Sequence, residues 1–370
     1  MPENSSRVAL FLRFLGGGGA ERVILNLARG FTERGLKVDL VLSSAGGPHL
    51  WQVPPEVRIV DLGARSLSTS LPALVRYLRR ERPVALLSTL HYTNEIALWA
   101  KRFSGVSTRV VVREANTLSE EARHAAQTKK RLTPFFVRHF YPWADGIVAV
   151  SQGVAKDLAC VTGLPSERIQ VIYNPVMIPD LLERAKEAVD HPWFTPGQPP
   201  VVLGVGKLTE QKDFPTLIRA FALVRQLQQA RLVILGWGAQ RPRLEALVRE
   251  LGLEEDVAMP DHVKNPYAYM KRAAVFVLSS AWEGLPNVVI EAMAVGTPVI
   301  STDCKSGPKE ILDNGKYGSL TPVGDSRAMA EKILSVLSGN SKSVAPAWLD
   351  QFRLEASTQQ YLGVLGITQI

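Results

Sequence analysis

The chain has 370 residues, 46% of them hydrophobic and 21% charged, with a formal net charge of +8 and two cysteines. The length is too great for one ordinary core and suits two α/β domains, and the composition excludes a disordered or collagen-like chain. Cys160 and Cys304 belong to no CxxC or Cys/His cluster, which argues against structural zinc and for a reducing, cytoplasmic setting.

The first residues lack a basic stretch ahead of a long apolar core, and no uncharged apolar run reaches the roughly 18 residues of a spanning helix. We expect neither a signal peptide nor a transmembrane segment. Val8 to Phe14 reads as a short buried strand, followed by the glycine loop and amphipathic helix of "LGGGGAERVILNLARGFTERG" and by a strand in "KVDLVLSS". Further strands are expected at Val84 to Thr89, Thr108 to Glu114, Gly146 to Ser151 and Ile169 to Pro175, with helical patterns between most of them. This alternation implies a mainly parallel, doubly wound sheet.

"QTKKRLTPFFVRHFYPWADG", Gln127 to Gly146, mixes Lys129, Lys130, Arg131 and Arg138 with Phe135, Phe136, Phe140, Tyr141 and Trp143. A basic aromatic helix suits a membrane interface. It equally suits a helix that packs its aromatics inward and leaves its cations in water. Residues 1 to 175 carry 23 Lys and Arg against 14 Asp and Glu, a net +9, while the remainder carries 20 against 21, a net −1. Such asymmetry fits an anionic membrane surface or an anionic acceptor, whereas no nucleic-acid-binding module accompanies the charge.

The proline-dense stretch around "DHPWFTPGQPP" breaks the rhythm, and we place a linker at 177–199 between a first domain at 1–176 and a second at 200–345. Strands at Pro200 to Gly206, in "ARLVILGWG", at Ala273 to Ser280 and in "PVISTD" build the second doubly wound sheet. Residues 346–370 read as an amphipathic helix expected to pack back across the hinge. Two such domains would face a central cleft with the carboxyl ends of both sheets.

Within "EGLPNVVIEAMAVGTP", Glu283 lies in the loop after a strand and Glu291 lies inside an apolar helix. An ionised carboxylate in apolar surroundings needs a partner. Gly284 lets the backbone approach a ligand, Pro286 suits the first helical turn, and a helix N-terminus favours anions. A nucleotide sugar carries both the phosphate and the hydroxyls such a site would take. Lys207 and Lys212, in "GVGKLTEQKDFPTLIRAF", stand after a strand where cations could hold a departing diphosphate. Ser306, Gly307 and Lys309 lie just beyond another strand end, where backbone amides could nest a phosphate.

The segment "VLSSAWEGLPNVVIEAMAVGTPVISTDCKSGPKEIL" resembles the signature of the retaining glycosyltransferases of family 4, the group 1 glycosyltransferases of GT-B fold, through its E-x7-E pair. The resemblance implies that Glu283 contacts the donor sugar, that Glu291 contacts the ribose diol, and that Gly284, Leu285, Ser306 and Gly307 line the donor. It gives Lys212 and Lys207 the diphosphate, although the family usually has arginine where Lys207 stands, a planar fork in place of a point charge. Gly17, Gly18 and Gly19 would face the donor phosphates; read alone, their loop is weak evidence for dinucleotide binding, since the second strand ends in serines rather than a ribose-binding acid. Many relatives carry a histidine near "VREANTLSE". This chain has none there, and Asn116, Glu114 and His91 remain the candidates for its place.

No D-x-D motif occurs, so no carboxylate pair is at hand for a metal on the diphosphate, and no metal or other cofactor is expected. The resulting expectation is a membrane-peripheral transferase moving a hexose or N-acetylhexosamine from a nucleotide diphosphate sugar to a glycan or lipid-linked glycan. The rivals are an inactive nucleotide-sugar-binding subunit, an epimerase or phosphorylase of the same architecture, and a nicotinamide-dependent oxidoreductase.

Overall fold

The computed structural model describes residues 7–125, 131–261 and 263–367; residues 127–130 of the basic aromatic segment lie outside them. The chain forms two compact units, Met1–Val176 with Gln351–Ile370, and Met177–Asp350. Each is built on one parallel sheet. The first sheet contains β1 (Arg7–Leu12), β2 (Lys37–Leu42), β3 (Arg58–Asp61), β4 (Ala85–Thr89), β5 (Arg109–Glu114), β6 (Gly146–Ala149) and β7 (Ile169–Val171), in the order β3-β2-β1-β4-β5-β6-β7. The second contains β8 (Val201–Val205), β9 (Arg231–Leu235), β10 (Val257–Ala258), β11 (Val275–Leu278), β12 (Val299–Thr302) and β13 (Ser319–Thr321), in the order β10-β9-β8-β11-β12-β13.

Helices cover both faces of such sheets, so central strands are apolar throughout rather than alternating. Val8 to Leu12 and Val275 to Leu278 are buried at every position for this reason. In each unit the first strand is central and the chain winds away from it in both directions. The order therefore reverses between β1 and β4 and again between β8 and β11, the points where doubly wound folds bind ligands outside their strand ends.

The chain returns to the first unit after residue 350. The helix Leu354–Val364 packs on the helix Gly19–Thr32, where a Cβ at Gly30 would come within 2.3 Å of Thr358 Oγ1. Tyr361, Leu362 and Leu365 join the core formed by β1, β2 and the helix Gly19–Thr32. Residues 177–199 include the helix Leu181–Lys186, which lies on the helix Pro266–Arg272; Asn265 Nδ2 donates to the Arg184 carbonyl at 2.7 Å. The stretch read as a linker is thus partly helical and belongs to the second unit.

One buried charge ties the first sheet together. Asp39, fully buried on β2, accepts from Arg7 Nη1 at 2.7 Å, Arg58 Nε at 2.9 Å and Tyr77 Oη at 2.7 Å. Burial pushes its carboxyl up, but the hydrogen bonds from Arg58 and Tyr77 and the charges of Arg58 and Arg7 outweigh this and hold it below its ordinary value of 3.8. A depressed carboxyl stabilises the fold above its unfolded pKa and loses that contribution as pH falls through the folded one. Asp39→Asn is expected to cost about 1–3 kcal/mol at neutral pH. Its deficit in thermal midpoint should shrink as pH falls below 3.8, which melts at pH 7 and pH 3 would show.

Candidate active site

The side chains singled out in the second unit gather at the switch point of its sheet. β8 ends at Val205 and leads through Gly206 and Lys207 into a short turn of helix, Glu210–Lys212; β11 ends at Leu278 and leads into the loop that carries Glu283. Lys212 Nζ donates to Glu283 Oε1 at 2.5 Å, and Ser280 Oγ donates to the same oxygen at 2.7 Å. Glu283 is 5% exposed, so the ammonium and the hydroxyl supply what burial of a carboxylate demands. The two loops are joined further by Ser279 Oγ to the Lys212 carbonyl at 2.7 Å, Ala281 N to the Gln211 carbonyl at 2.8 Å and Gln211 Nε2 to the Trp282 carbonyl at 2.9 Å.

Two glycines make this packing possible. The Lys212 side chain lies over Gly206, where a Cβ would stand 3.3 Å from its Cδ and Cε. Gly307 has φ of +92°, and a Cβ there would meet Pro286 Cδ at 2.6 Å and the Gly284 carbonyl oxygen at 2.9 Å. The loop after β12 is therefore seated against the loop after β11, and Ser306 Oγ donates to the Gly284 carbonyl at 3.0 Å. Leu285 is buried beside it, and Glu291 is buried within the helix Asn287–Ala294.

Lys207 has a different environment. It is exposed, and its ammonium lies 5.7 Å from the centre of the Trp237 ring in a cation–π arrangement. Cys304 is buried, and burial followed by the nearby Glu283 charge pushes its thiol up to about 12, which suits a packed thiol. Lys309 Nζ stands 3.9 Å from Asp303 Oδ2. Asp261 receives Arg241 Nη1 at 2.6 Å.

A second set gathers at the switch point of the first sheet. After β1, Gly17 takes φ of +75°, Gly18 caps the helix Gly19–Thr32 and Gly19 opens it. After β4, Leu90 takes φ of +74°, a conformation that costs a residue with a side chain about 1–3 kcal/mol, and the helix His91–Ser104 begins. His91 Nδ1 lies 3.7 Å from Glu121 Oε2, and Asn116 Nδ2 donates to Glu121 Oε1 at 2.5 Å. Glu114 accepts from Tyr141 Oη at 2.7 Å, and Tyr141 Oη in turn accepts from Asn94 Nδ2 at 2.8 Å. Burial, and then the charge of Glu121, pushes Glu114 up to about 8.

His91, Asn116 and Glu114 are thus neighbours of one carboxylate that the sequence reading passed over. Glu121 stands in "TLSEEAR" as one of two acids in the first turn of a short helix, the usual place for a solvated acid, so nothing local marks it. Ser280 was missed as well; its only signal is its position three residues before Glu283. Among the described residues no three His, Cys, Asp or Glu side chains are grouped to hold a metal ion, and no helix is long and apolar enough to cross a membrane.

Residues 17–178 match the family model described as Glycosyltransferase Family 4, and residues 186–346 match the one described as Glycosyl transferases group 1. Together these matches run through both units, and the chain belongs to the group 1 glycosyltransferases of GT-B fold. It is 29% identical over 341 residues, 90% of each chain, to the N-acetylgalactosamine-N,N'-diacetylbacillosaminyl-diphospho-undecaprenol 4-alpha-N-acetylgalactosaminyltransferase of Campylobacter jejuni. It is 29% identical over 361 residues, 94% of this chain and 96% of the other, to the lipopolysaccharide core biosynthesis glycosyltransferase LpsE of Rhizobium meliloti. Among solved structures, Anabaena Alr3699/HepE in complex with UDP matches with a TM-score of 0.74 at 19% identity, covering 98% of this chain and 100% of that one, a likeness of fold.

The raised carboxyl of Glu114 has a consequence for stability. Between its ordinary value of 4.5 and about 8 the unfolded chain ionises this group while the folded chain keeps it protonated, so this contribution to stability falls as pH rises through that window. Glu114→Gln, a neutral group of similar shape, should flatten that fall. Melts from pH 5 to pH 9 are expected to show the variant gaining on the parent by several degrees at the alkaline end.

Proposed function

We propose that the chain is a retaining glycosyltransferase that moves a hexose or N-acetylhexosamine from a nucleoside diphosphate sugar to a hydroxyl of a glycan or lipid-linked glycan, without a divalent ion. The observation that carries this reading is the half-buried Lys212 bonded to Glu283, itself buried with Ser280, at the sheet's switch point. In the proposed reaction the bond from the sugar's anomeric carbon to the diphosphate breaks, and negative charge develops on the departing oxygen. Lys212, with Lys207 beside it in sequence, stabilises that charge; a fixed cation in a water-poor site is worth more there than in bulk water. The acceptor hydroxyl oxygen forms the new bond on the same face of the sugar, and its proton passes to the departing diphosphate.

Glu283 then serves the sugar hydroxyls and Glu291 the ribose diol, with Gly284, Leu285, Ser306 and Gly307 shaping the donor pocket. A carboxylate already accepting from Lys212 and Ser280 is suited to accepting further hydrogen bonds and ill suited to attacking a carbon. This supports transfer without a covalent intermediate on Glu283. The first unit offers His91, Asn116, Glu114 and Glu121 as hydroxyl-binding groups at its own strand ends. The Campylobacter relative's name contains a diphospho-undecaprenol, which supports a lipid-linked acceptor, and the UDP complex of the Anabaena protein supports a nucleoside diphosphate donor. We place the protein in the cytoplasm at the membrane surface.

Calorimetry against a panel of nucleoside diphosphate sugars in the presence of EDTA should find one donor that binds, and turnover with that donor should be insensitive to the chelator. Glu283→Ala is expected to lower the transfer rate by about 100- to 1,000-fold with an unchanged fold, and Glu291→Ala to weaken donor binding. Normal turnover in Glu283→Ala would sink the assignment. Donor binding by the parent with no turnover on any acceptor would favour the inactive-subunit reading instead.

A further inference from the structure

Beyond the end of β8 stand two lysines whose charges are held in different ways. The ammonium of Lys212 is bonded to the Glu283 carboxylate, which neutralises it. Lys207 forms no ion pair among the described residues; its ammonium instead faces the ring of Trp237, 5.7 Å from the centroid. The acids nearest it in sequence are Asp213, which accepts from Thr216 Oγ1 at 2.6 Å, and Glu210, which is exposed.

The meeting of Lys207 with Trp237 is built into the backbone rather than left to two mobile side chains. β8 and β9 pair in parallel with Val205 opposite Leu235, and the same register carried two residues further sets Lys207 opposite Trp237. Main-chain bonds from Gly206 N to the Leu235 carbonyl at 3.0 Å and from Leu208 N to the Trp237 carbonyl at 2.9 Å continue the pairing past both strands. A glycine on each side of the tryptophan, in "LGWGAQ", allows this approach. A Cβ at Gly236 would stand 1.9 Å from the Gly206 carbonyl oxygen, and one at Gly238 would stand 2.4 Å from that of Leu208. The indole is 44% exposed, so filling of the core does not account for a tryptophan here.

A carboxylate and an aromatic face act differently on a cation. The carboxylate cancels its charge, whereas the ring attracts it through a quadrupole and leaves both the net charge and the N–H donors available. We propose that Trp237 is a positioning residue that holds the Lys207 ammonium at the strand end, so that a ligand's diphosphate meets a cation already in place and not neutralised by an acid. A lysine stem ordered beforehand loses less rotamer freedom when the ligand arrives. The two lysines thereby divide their roles, Lys212 orienting Glu283 and Lys207 offering its charge. The proposal rests on the transferase reading for the identity of the ligand as a diphosphate and extends it by giving the indole a part in binding.

Calorimetry of the full chain with inorganic pyrophosphate tests it without turnover. Lys207→Met is expected to weaken binding about tenfold, and Trp237→Leu about two- to fivefold. In the Lys207→Met background Trp237→Leu should change the affinity little, because the ring acts through the ammonium. Trp237→Phe, which keeps an aromatic face, should retain most of the parent's affinity. Pyrophosphate should also shift the tryptophan emission of the parent and not that of Trp237→Phe, a readout that remains if Trp237→Leu misfolds. No binding of pyrophosphate by the parent, or an emission shift as large in Trp237→Phe, overturns the proposal. An equal loss from Trp237→Leu in both backgrounds overturns it in favour of a ring that touches the ligand itself. Coupling as expected, with no turnover of any nucleoside diphosphate sugar, sinks the transferase reading and supports the Lys207 and Trp237 assignment.

Discussion

A carboxylate taken out of water must be held by a cation or by hydrogen-bond donors, and Glu283 is such a carboxylate at the end of a parallel sheet. Its cation comes from the neighbouring strand's loop. Lys212 reaches it because Gly206 leaves room for the lysine stem, and the loop that carries it is fixed from the other side by Ser306 and by the contact that only a glycine at 307 allows. Three strand ends, those of β8, β11 and β12, are therefore locked around one ion pair before any ligand arrives. Preorganisation of this kind is what a transition state with developing charge requires, since groups that are already aimed need no reorganisation during the reaction.

The first unit solves the same problem differently. Glu114 is as deeply buried as Glu283, but its nearest polar partner is the Tyr141 hydroxyl and the nearby charge is another carboxylate, Glu121. Without a cation, the burial cost is met by keeping the proton, which is why its carboxyl rises to about 8. Two buried acids near the strand ends of two similar sheets are thus accommodated by different neighbours, a lysine and a serine at Glu283 and a tyrosine at Glu114. A protonated Glu114 both donates and accepts, as the asparagine beside it does, and a group of that character suits sugar hydroxyls better than a second anion would.

The alternating apolar runs were sufficient to read both sheets and most of their strands. The strands that escaped notice were β3, β10 and β13, which lie at or near sheet edges, are short and bury fewer side chains, so they carry little of the continuous apolar pattern that marks a central strand. The site divides along a similar line. Glu283 and Glu291 announce themselves because an acid inside or beside an apolar run has a cost that the sequence displays. The pairing of Glu283 with Lys212 spans 71 residues and has no local trace. Glu121 is hidden for the opposite reason: an acid in the first turn of a helix looks ordinary, and only the convergence of the loops after β4 and β5 sets His91 and Asn116 against it.

The distribution of charge follows from the same economy. In the second unit several cations are matched to acids, as Arg225 and Arg231 are to Asp256, Arg241 is to Glu245 and Asp261, and Lys212 is to Glu283. In the first unit Arg7 and Arg58 are spent on Asp39, and Lys101 on Asp145, yet Arg102, Arg131 and Arg138 are exposed close in sequence to the exposed Phe103, Leu132 and Phe135. An excess of cations costs self-repulsion that a solitary globular unit has no reason to keep in one place.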